Sequence, residues 1–502
     1  MIRNSPELSA RAREIALELT SWPSVTGSAD EGSFAAKLAA YLRGFDEVKT
    51  PAVDAGVHPR SNLIALKRGK GRRTIVLTGH FDVVPIEDYG DLKAMAFDAE
   101  RLLPEIVARL KRSGENSLAL ADLESGDFLP GRGLLDMKAG LAAGIATIEA
   151  YEGDCNLVFL AVCDEEDRSS GARAAAPALK TFAKDFNLDI ALVINLDAIS
   201  DQGDGAAGRV VALGSIGKQL PTAYVAGKEA HACYPQDGAN AAYLAAELLT
   251  EFELAPELAE VTGDEVAAPP TALHAKDLKQ GYNVTTPGQS WLYWNTLQHK
   301  RSAAEVLEIS LRLARRAMTR TSLKVKRSIP VLTYAEVASR VAPHSLAARA
   351  AEIAKLSQLD LPERAKLLTE FAWAQSGLSG PAVIIGFGSI PYPAVSLRDA
   401  ELERCIMAAA QAHGLGSVRY FPGISDMSYF GEASGDLKAA ADNTPIWGTS
   451  FLMPEPAGYP CINIGPWGRD YHHWLERLHA PYAFETLPKV LLAVIDAVSK
   501  SG

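Results

Sequence analysis

Residues 157–167 read LVFLAVCDEED. An apolar run of this length has the texture of a buried strand. It stops in four consecutive acids, Asp164, Glu165, Glu166 and Asp167, and mutual repulsion argues against such a block unless positive charge meets it. Three other short apolar runs end in the same manner: RTIVLTGH at 73–80, DIALVINLD at 189–197 and YPCINIGP at 459–466. Helical patterns alternate with these runs, which predicts an α/β fold with a central sheet flanked by helices. In open α/β sheets ligands bind outside the carboxyl ends of the strands. The endings at His80, Glu165/Glu166 and Asp197 are therefore expected to be neighbours at one crevice.

The middle of the chain has a different texture. QLPTAYVAGK, NAAYLAAELLTEF, TALHAKDLKQGYNV, SWLYWNTL, AAEVLEISLRLARRAM and SLKVKRSIPV give strand, helix, two strands, helix, strand. This βαββαβ (ferredoxin-like) order predicts a small separate domain over 213–326. It interrupts a larger, discontinuous domain made of 1–212 and 327–502. The stretch from about Glu87 to Leu129 is long for a connection, contains a helical pattern (DAERLLPEIVARLKRSG), and is expected near the crevice.

Composition narrows the function classes. The chain has 502 residues, 48% hydrophobic and 22% charged, with a formal net charge of −11. That balance opposes a general nucleic-acid or anionic-membrane surface and favours a small partner. No run reaches the 18 or more apolar residues of a membrane span, and the N-terminal pattern reads as an amphipathic helix ending before Pro23 rather than a signal core. Five cysteines without a CxxC pair read as reduced, mostly buried thiols. The expectation is a cytoplasmic protein.

The chemistry-bearing residues can be weighed one by one. His80 ends a strand with Asp82 two residues on, an H-x-D unit in which the carboxylate can receive the second imidazole N–H of a metal-bound histidine. Asp136 lies between glycines in GRGLLDMKAG, ahead of a small-residue helix, where it can be presented to two cations. Glu165 and Glu166 point different ways from an extended chain, so one can ligate a metal while the other takes a proton from water. Asp197 is a further strand-end acid. His472 and His473 stand beside Glu476 near the C-terminus. Taken singly, each has a plain reading: a structural histidine, a turn aspartate, a solvated acidic helix start. Arg132, Lys138 and Arg469, near the motifs, read as surface charges.

The order and strand-end placement of these motifs resemble the M20 family of zinc metallopeptidases. The resemblance runs from H-x-D at 80–82 through GRGLLDMKAG at 131–140, DEE at 164–166, Asp197, VAGKEAHACYPQDGANA at 225–241 and YNVTTP at 282–287 to the GP…H…E ending at 465–476. It implies two zinc ions per chain, with cobalt or manganese as alternatives. His80 and Asp197 would hold one, Glu166 and His472 the other, with Asp136 bridging and followed by a cis peptide to Met137. Asp82 would orient His80, Glu165 would be the general base, and the family spacing selects His472 over His473, with Glu476 as its second partner. His231 would stabilise the developing oxyanion and Asn283 would touch substrate. If either acts in trans, a homodimer through the small lid domain is required. Asp426, in FPGISDMSYF, resembles a cleft-lining position.

One departure stands out. Where many members place a carboxylate-gripping arginine, this strand reads PGQSWLYWNTL, so a free C-terminal carboxylate is not implied. This, the long segment after the first motif and the GPWGRDYHHWLERLHAPY ending most resemble the arginine-utilisation (RocB-type) branch. The expected activity is hydrolysis of an amide bond in a short peptide or N-acyl amino acid. A two-metal phosphoesterase and a non-catalytic metal-binding protein on the same fold are the alternatives.

Overall fold

The computed structural model describes residues 5–54, 57–263, 265–435 and 437–500. The chain forms two compact units, one of Met1–Ser215, Val395–Glu432 and Pro454–Gly502, the other of Ile216–Ala394 and Ala433–Met453. Among the described residues no helix is long and apolar enough to cross a membrane.

The first unit is built on an eight-stranded mixed sheet. Its strands lie in the order Glu47–Lys49, Leu63–Lys67, Asn156–Val162, Arg73–His80, Asp189–Asn195, Cys461–Asn463, Val210–Ala212 and Gly416–Val418. The four runs singled out in the sequence occupy adjacent positions and are mutually parallel. Their carboxyl ends therefore emerge at one edge, with His80 in register with Val162 and Thr78 with Asn195. Asn156–Val162 is buried at every position, each large apolar side chain contributing roughly 1.5–3 kcal/mol relative to exposure. The helix Ala139–Ala150 packs against Arg73–His80 and Asn156–Val162. Its small residues permit this: a Cβ on Gly140 would lie 2.1 Å from the Leu196 carbonyl oxygen.

A second, four-stranded sheet orders the loops beside that edge. Phe128–Pro130, Arg477–His479, Trp467–Arg469 and Ile199–Ser200 pair in that order. The first leads into the turn of Asp136, the last follows Asp197, and the middle two flank the loop of His472. Three segments distant in sequence are thereby tied together by main-chain hydrogen bonds.

The second unit holds a sheet ordered Gly217–Gln219, Gln289–Gln298, Pro221–Ala226, Ala382–Phe387 and Val331–Thr333, with Thr271–Asp277 also paired to Gln289–Gln298. One face carries Ala223, Val225, Leu292, Trp294, Val383 and Ile385 into a core with helices Ala241–Phe252 and Ala303–Val325. The structure differs from expectation at the last strand. Of the run SLKVKRSIPV, read as a strand over 322–331, Ser322–Val325 is the final turn of a 23-residue helix that opens with a capping box at Ser302 and Glu305 and is capped by Lys326 in the left-handed region. Ala382–Phe387 instead pairs with Pro221–Ala226, after three intervening helices, Tyr334–Ala338, Pro343–Ala354 and Leu361–Gln375. The boundary expected at 326 accordingly falls at Ala394, and 433–453 also belongs to this unit.

Candidate metal centre

His80 is delivered by the end of its strand and fixed by a hydrogen bond from Nδ1 to the main-chain oxygen of Asp82, 3.0 Å away. With Nδ1 as the donor to that oxygen, Nε2 is the nitrogen turned to the carboxylates, protonated in the metal-free protein and free to ligate a metal once that proton leaves. That nitrogen lies 3.2 Å from Asp136 Oδ1 and 3.7 Å from Asp197 Oδ1. The other oxygen of Asp136, Oδ2, lies 3.2 Å from His472 Nε2, which is 3.1 Å from Glu166. Asp136 thus turns one oxygen to each of two histidines. Its peptide bond to Met137 is cis.

These side chains form overlapping groups whose donor atoms converge within 4.8 Å: His80, Asp136 and Asp197; His80, Glu165 and Glu166; Asp136, Glu166 and His472. Nitrogen and carboxylate oxygen donors in such triads suit zinc and neighbouring divalent metals. Among the described residues, the ion pairs of Asp136, Glu166 and Asp197 are with histidines alone. Negative charge that no lysine or arginine neutralises fits a site built for cations.

The acids of the DEED block take four separate directions. Asp164 pairs with Arg60 and accepts from the Ser170 main chain at 3.1 Å, at the start of the helix Ser170–Asp185. Glu165 faces His80, Asp426 and Asp197 electrostatically. Glu166 meets His472, and Asp167 pairs at the surface with Arg168. Asp82 is what arranges the middle pair: Oδ1 accepts from Glu165 N at 3.0 Å, and Oδ2 from Glu166 N at 3.3 Å and the Thr26 hydroxyl at 2.9 Å. The expected role of Asp82 is therefore divided. Its main-chain oxygen orients His80, while its carboxylate, 3.7 Å from the ring, holds the turn of the two glutamates.

Charge states follow from this crowding. Burial opposes protonation of His80 and His472, but their carboxylate partners outweigh it, holding His80 well above its usual value and His472 at about 10. Burial raises Asp136, yet the two imidazoles win and hold it well below the usual carboxylate range. Glu166 is raised to about 7 by burial against the pull of His472, and Glu165 is pushed well up by burial and by the acids around it. Asp426 is buried at the start of the short helix Met427–Phe430, and burial lifts it to about 7.

Supporting groups were partly invisible in the sequence. Glu476, expected beside His472, instead accepts through Oε1 from the main-chain nitrogens of Gly133, Leu135 and Asp136 at 2.9, 3.3 and 3.4 Å. It holds the Asp136 turn, and the companion histidine His473 accepts from Leu475 N. Asn463 clasps Asp197 by its main chain, accepting from N at 3.0 Å and donating to O at 2.9 Å. The Tyr471 ring packs edge-on against His472, with centroids 5.0 Å apart. No spacing rule flags Asn463 or Tyr471.

His231 and Asn283 belong to the second unit, where the structure brings their loops together. Ala232 donates to Val284, His231 Nδ1 accepts from Cys233 N at 3.1 Å, and Asn283 Oδ1 accepts from Thr285 N at 3.1 Å.

The sequence profile of Peptidase family M20/M25/M40 matches residues 76–441. The chain belongs to this family. As an M20-family protein it is a hydrolase of the metallopeptidase and amidohydrolase class. It is 33% identical to the uncharacterized protein YqjN of Bacillus subtilis over 96% of this chain and 95% of that one. It is 28% identical to protein RocB of the same organism, over 96% and 94%. In fold this M20 chain resembles a tripeptidase of Staphylococcus aureus, with a TM-score of 0.53 at 16% identity, covering 98% of this chain and 99% of the other.

Proposed function

We propose that the chain cleaves an amide bond in a short peptide or N-acyl amino acid at a centre of two metal ions, zinc being the favoured identity. The observation that carries the reading is the division of Asp136 between His80 and His472. His80 and Asp197 would complete one position, Glu166 and His472 the other. Two divalent ions there would lower the pKa of a water molecule and polarise the scissile carbonyl. Glu165 is the general base. Held among other acids and largely withdrawn from water, its carboxylate is raised well above its ordinary value, which makes it a stronger proton acceptor than an exposed glutamate. It takes the proton of the attacking water and delivers it to the leaving nitrogen. Asp82 keeps its main chain in place for both transfers.

His231, as oxyanion stabiliser, and Asn283 and Asp426, on the substrate side, enter the proposal on their motif positions. Activity as a homodimer enters with His231 and Asn283 acting in trans, and a cytoplasmic setting enters on the reading of the cysteines as reduced thiols. A substrate linked to arginine catabolism rests on the resemblance to the arginine-utilisation branch. The test is amine release by zinc-reconstituted wild type and Glu165→Gln on dipeptides and N-acyl amino acids weighted toward arginine, ornithine and glutamate. Release by wild type alone, with metal content equal in both proteins, supports the reading. Equal turnover by the variant sinks it.

A further inference from the structure

The segment between the first two motifs carries two buried contacts that the reaction itself does not use. It begins with the short helical turns Glu87–Met95, whose Tyr89 and Leu92 are core residues, and it includes the helices Ala99–Ser113 and Ser117–Ser125. Each contact starts at an aspartate of this segment, passes through an arginine only 1% exposed, and ends on a loop that bears a candidate metal ligand.

The first begins at Asp88, whose carboxylate accepts from Arg132 Nη2 at 2.9 and 3.0 Å. The guanidinium also lies 5.2 Å from the Tyr89 ring centre. Arg132 Nη1 donates to Glu476 Oε2 at 2.9 Å, and the other oxygen of Glu476 accepts the three main-chain N–H groups of the Asp136 turn. The second begins at Asp122, which receives Arg477 through Nε and Nη2, both at 2.8 Å. Arg477 Nη1 then donates to Asp470 at 2.5 Å and to the Leu475 carbonyl at 3.1 Å. Those two acceptors bracket His472, whose φ of 64° and that of Asp470, 54°, place both residues in the sparsely populated left-handed region.

We propose that the segment 87–125 is a positioning element for the metal centre, acting through Asp88–Arg132–Glu476 on Asp136 and through Asp122–Arg477 on the His472 loop. Neither aspartate touches a metal position. Each supplies the charge that lets an arginine stay buried in one orientation, and a planar guanidinium passes that orientation on with little slack. The two relays differ in reach. Asp136 is shared by both metal positions, so the Asp88 relay governs both; His472 belongs to one, so the Asp122 relay governs that one alone.

The inference rests on the proposed function, and titration of the metal-depleted full chain with zinc, followed calorimetrically, separates the two. Asp88→Asn should weaken both binding steps, and Asp122→Asn one step only, each by about tenfold or more, as loss of groups that hold metal ligands does. Glu124→Gln, which removes an exposed partner of Lys111 in the same segment, should titrate as wild type. A general loss of stability would not produce this split. Asp88 is one-third exposed at its side chain, so Asp88→Asn carries the test alone if Asp122→Asn does not fold. Wild type binding two ions while both variants, or a lone folded Asp88→Asn, match it overturns the relay alone. Wild type binding fewer than two overturns the proposed function and the relay with it.

Discussion

Gly465→Ala should damage the centre without replacing any candidate ligand. A Cβ at this position would stand 2.0 Å from the Asp197 carbonyl oxygen and 2.6 Å from that of Leu196, whereas real side-chain carbons essentially never approach within 3.0 Å. The neighbours are main-chain atoms, so no flexible side chain can swing away and about 1 Å must be absorbed by the strand ends themselves. Asn463, two residues before Gly465, grips both N and O of Asp197, which carries the shift to the carboxylate. Overpacking of this kind costs about 1–3 kcal/mol, and a misplacement of about 1 Å costs on the order of 100-fold in rate. The assay is kcat/KM on the substrate found by the amine-release panel, together with zinc titration and a thermal melt. The expected result is a folded protein, somewhat less stable, with turnover down about 100-fold and at least one metal step weakened. A folded variant with wild-type turnover and metal affinity would refute the account of how Asp197 is placed.

Further outcomes follow from particular residues. In the metal-free protein His472 is held at about 10, against an ordinary 6.5, so at pH 7 the imidazole is charged and metal uptake must expel a proton. Zinc affinity should therefore climb as pH rises from 7 toward 10, and calorimetry in two buffers of different ionisation heat should count the release; a count of zero would oppose the ligand assignment. For the metal-free fold the sign is the reverse: stabilisation from protonated His472 beside the ionised Asp136 is complete below pH 6.5 and disappears as pH rises through about 10, which urea melts across that range should show. Trp294, fully buried and stacked on Phe252 with centroids 4.4 Å apart, should cost about 3–5 kcal/mol of stability when changed to alanine, read as an earlier urea transition of the second unit. His231→Ala should remove most turnover while leaving zinc stoichiometry at the wild-type value; unchanged turnover would remove His231 from the reaction.

The strand-end acids and histidines were legible because a parallel sheet places carboxyl ends together, so four apolar runs with polar endings already imply one edge. What the sequence hid was pairing across distance. Arg132, Lys138 and Arg469 read as surface charges, yet all three are buried: Arg132 meets Asp88 and Glu476, Lys138 donates to the Trp22 carbonyl at 2.7 Å, and Arg469 donates to the Gly203 carbonyl at 2.7 Å. No local pattern announces a partner hundreds of residues away. Glu476 was assigned to His472, four residues before it, but the hairpin between Trp467–Arg469 and Arg477–His479 turns it toward the Asp136 turn instead. The misplaced boundary has a local cause. Ser322–Val325 alternates polar and apolar residues as a strand does, but so short a stretch fits the last turn of a helix equally well, and packing decided between them. Trp291 and Trp294, in the strand where an arginine was sought, are both fully buried, with Trp294 in the helix-covered core.

The central claim is that Asp136 is shared between two metal positions, and native mass spectrometry of zinc-reconstituted wild type and Asp136→Ala tests it most directly. The account predicts two ions per chain in wild type and loss of both tightly bound ions in a variant that remains folded. Two ions retained by Asp136→Ala, or a wild type that never takes more than one, would contradict it.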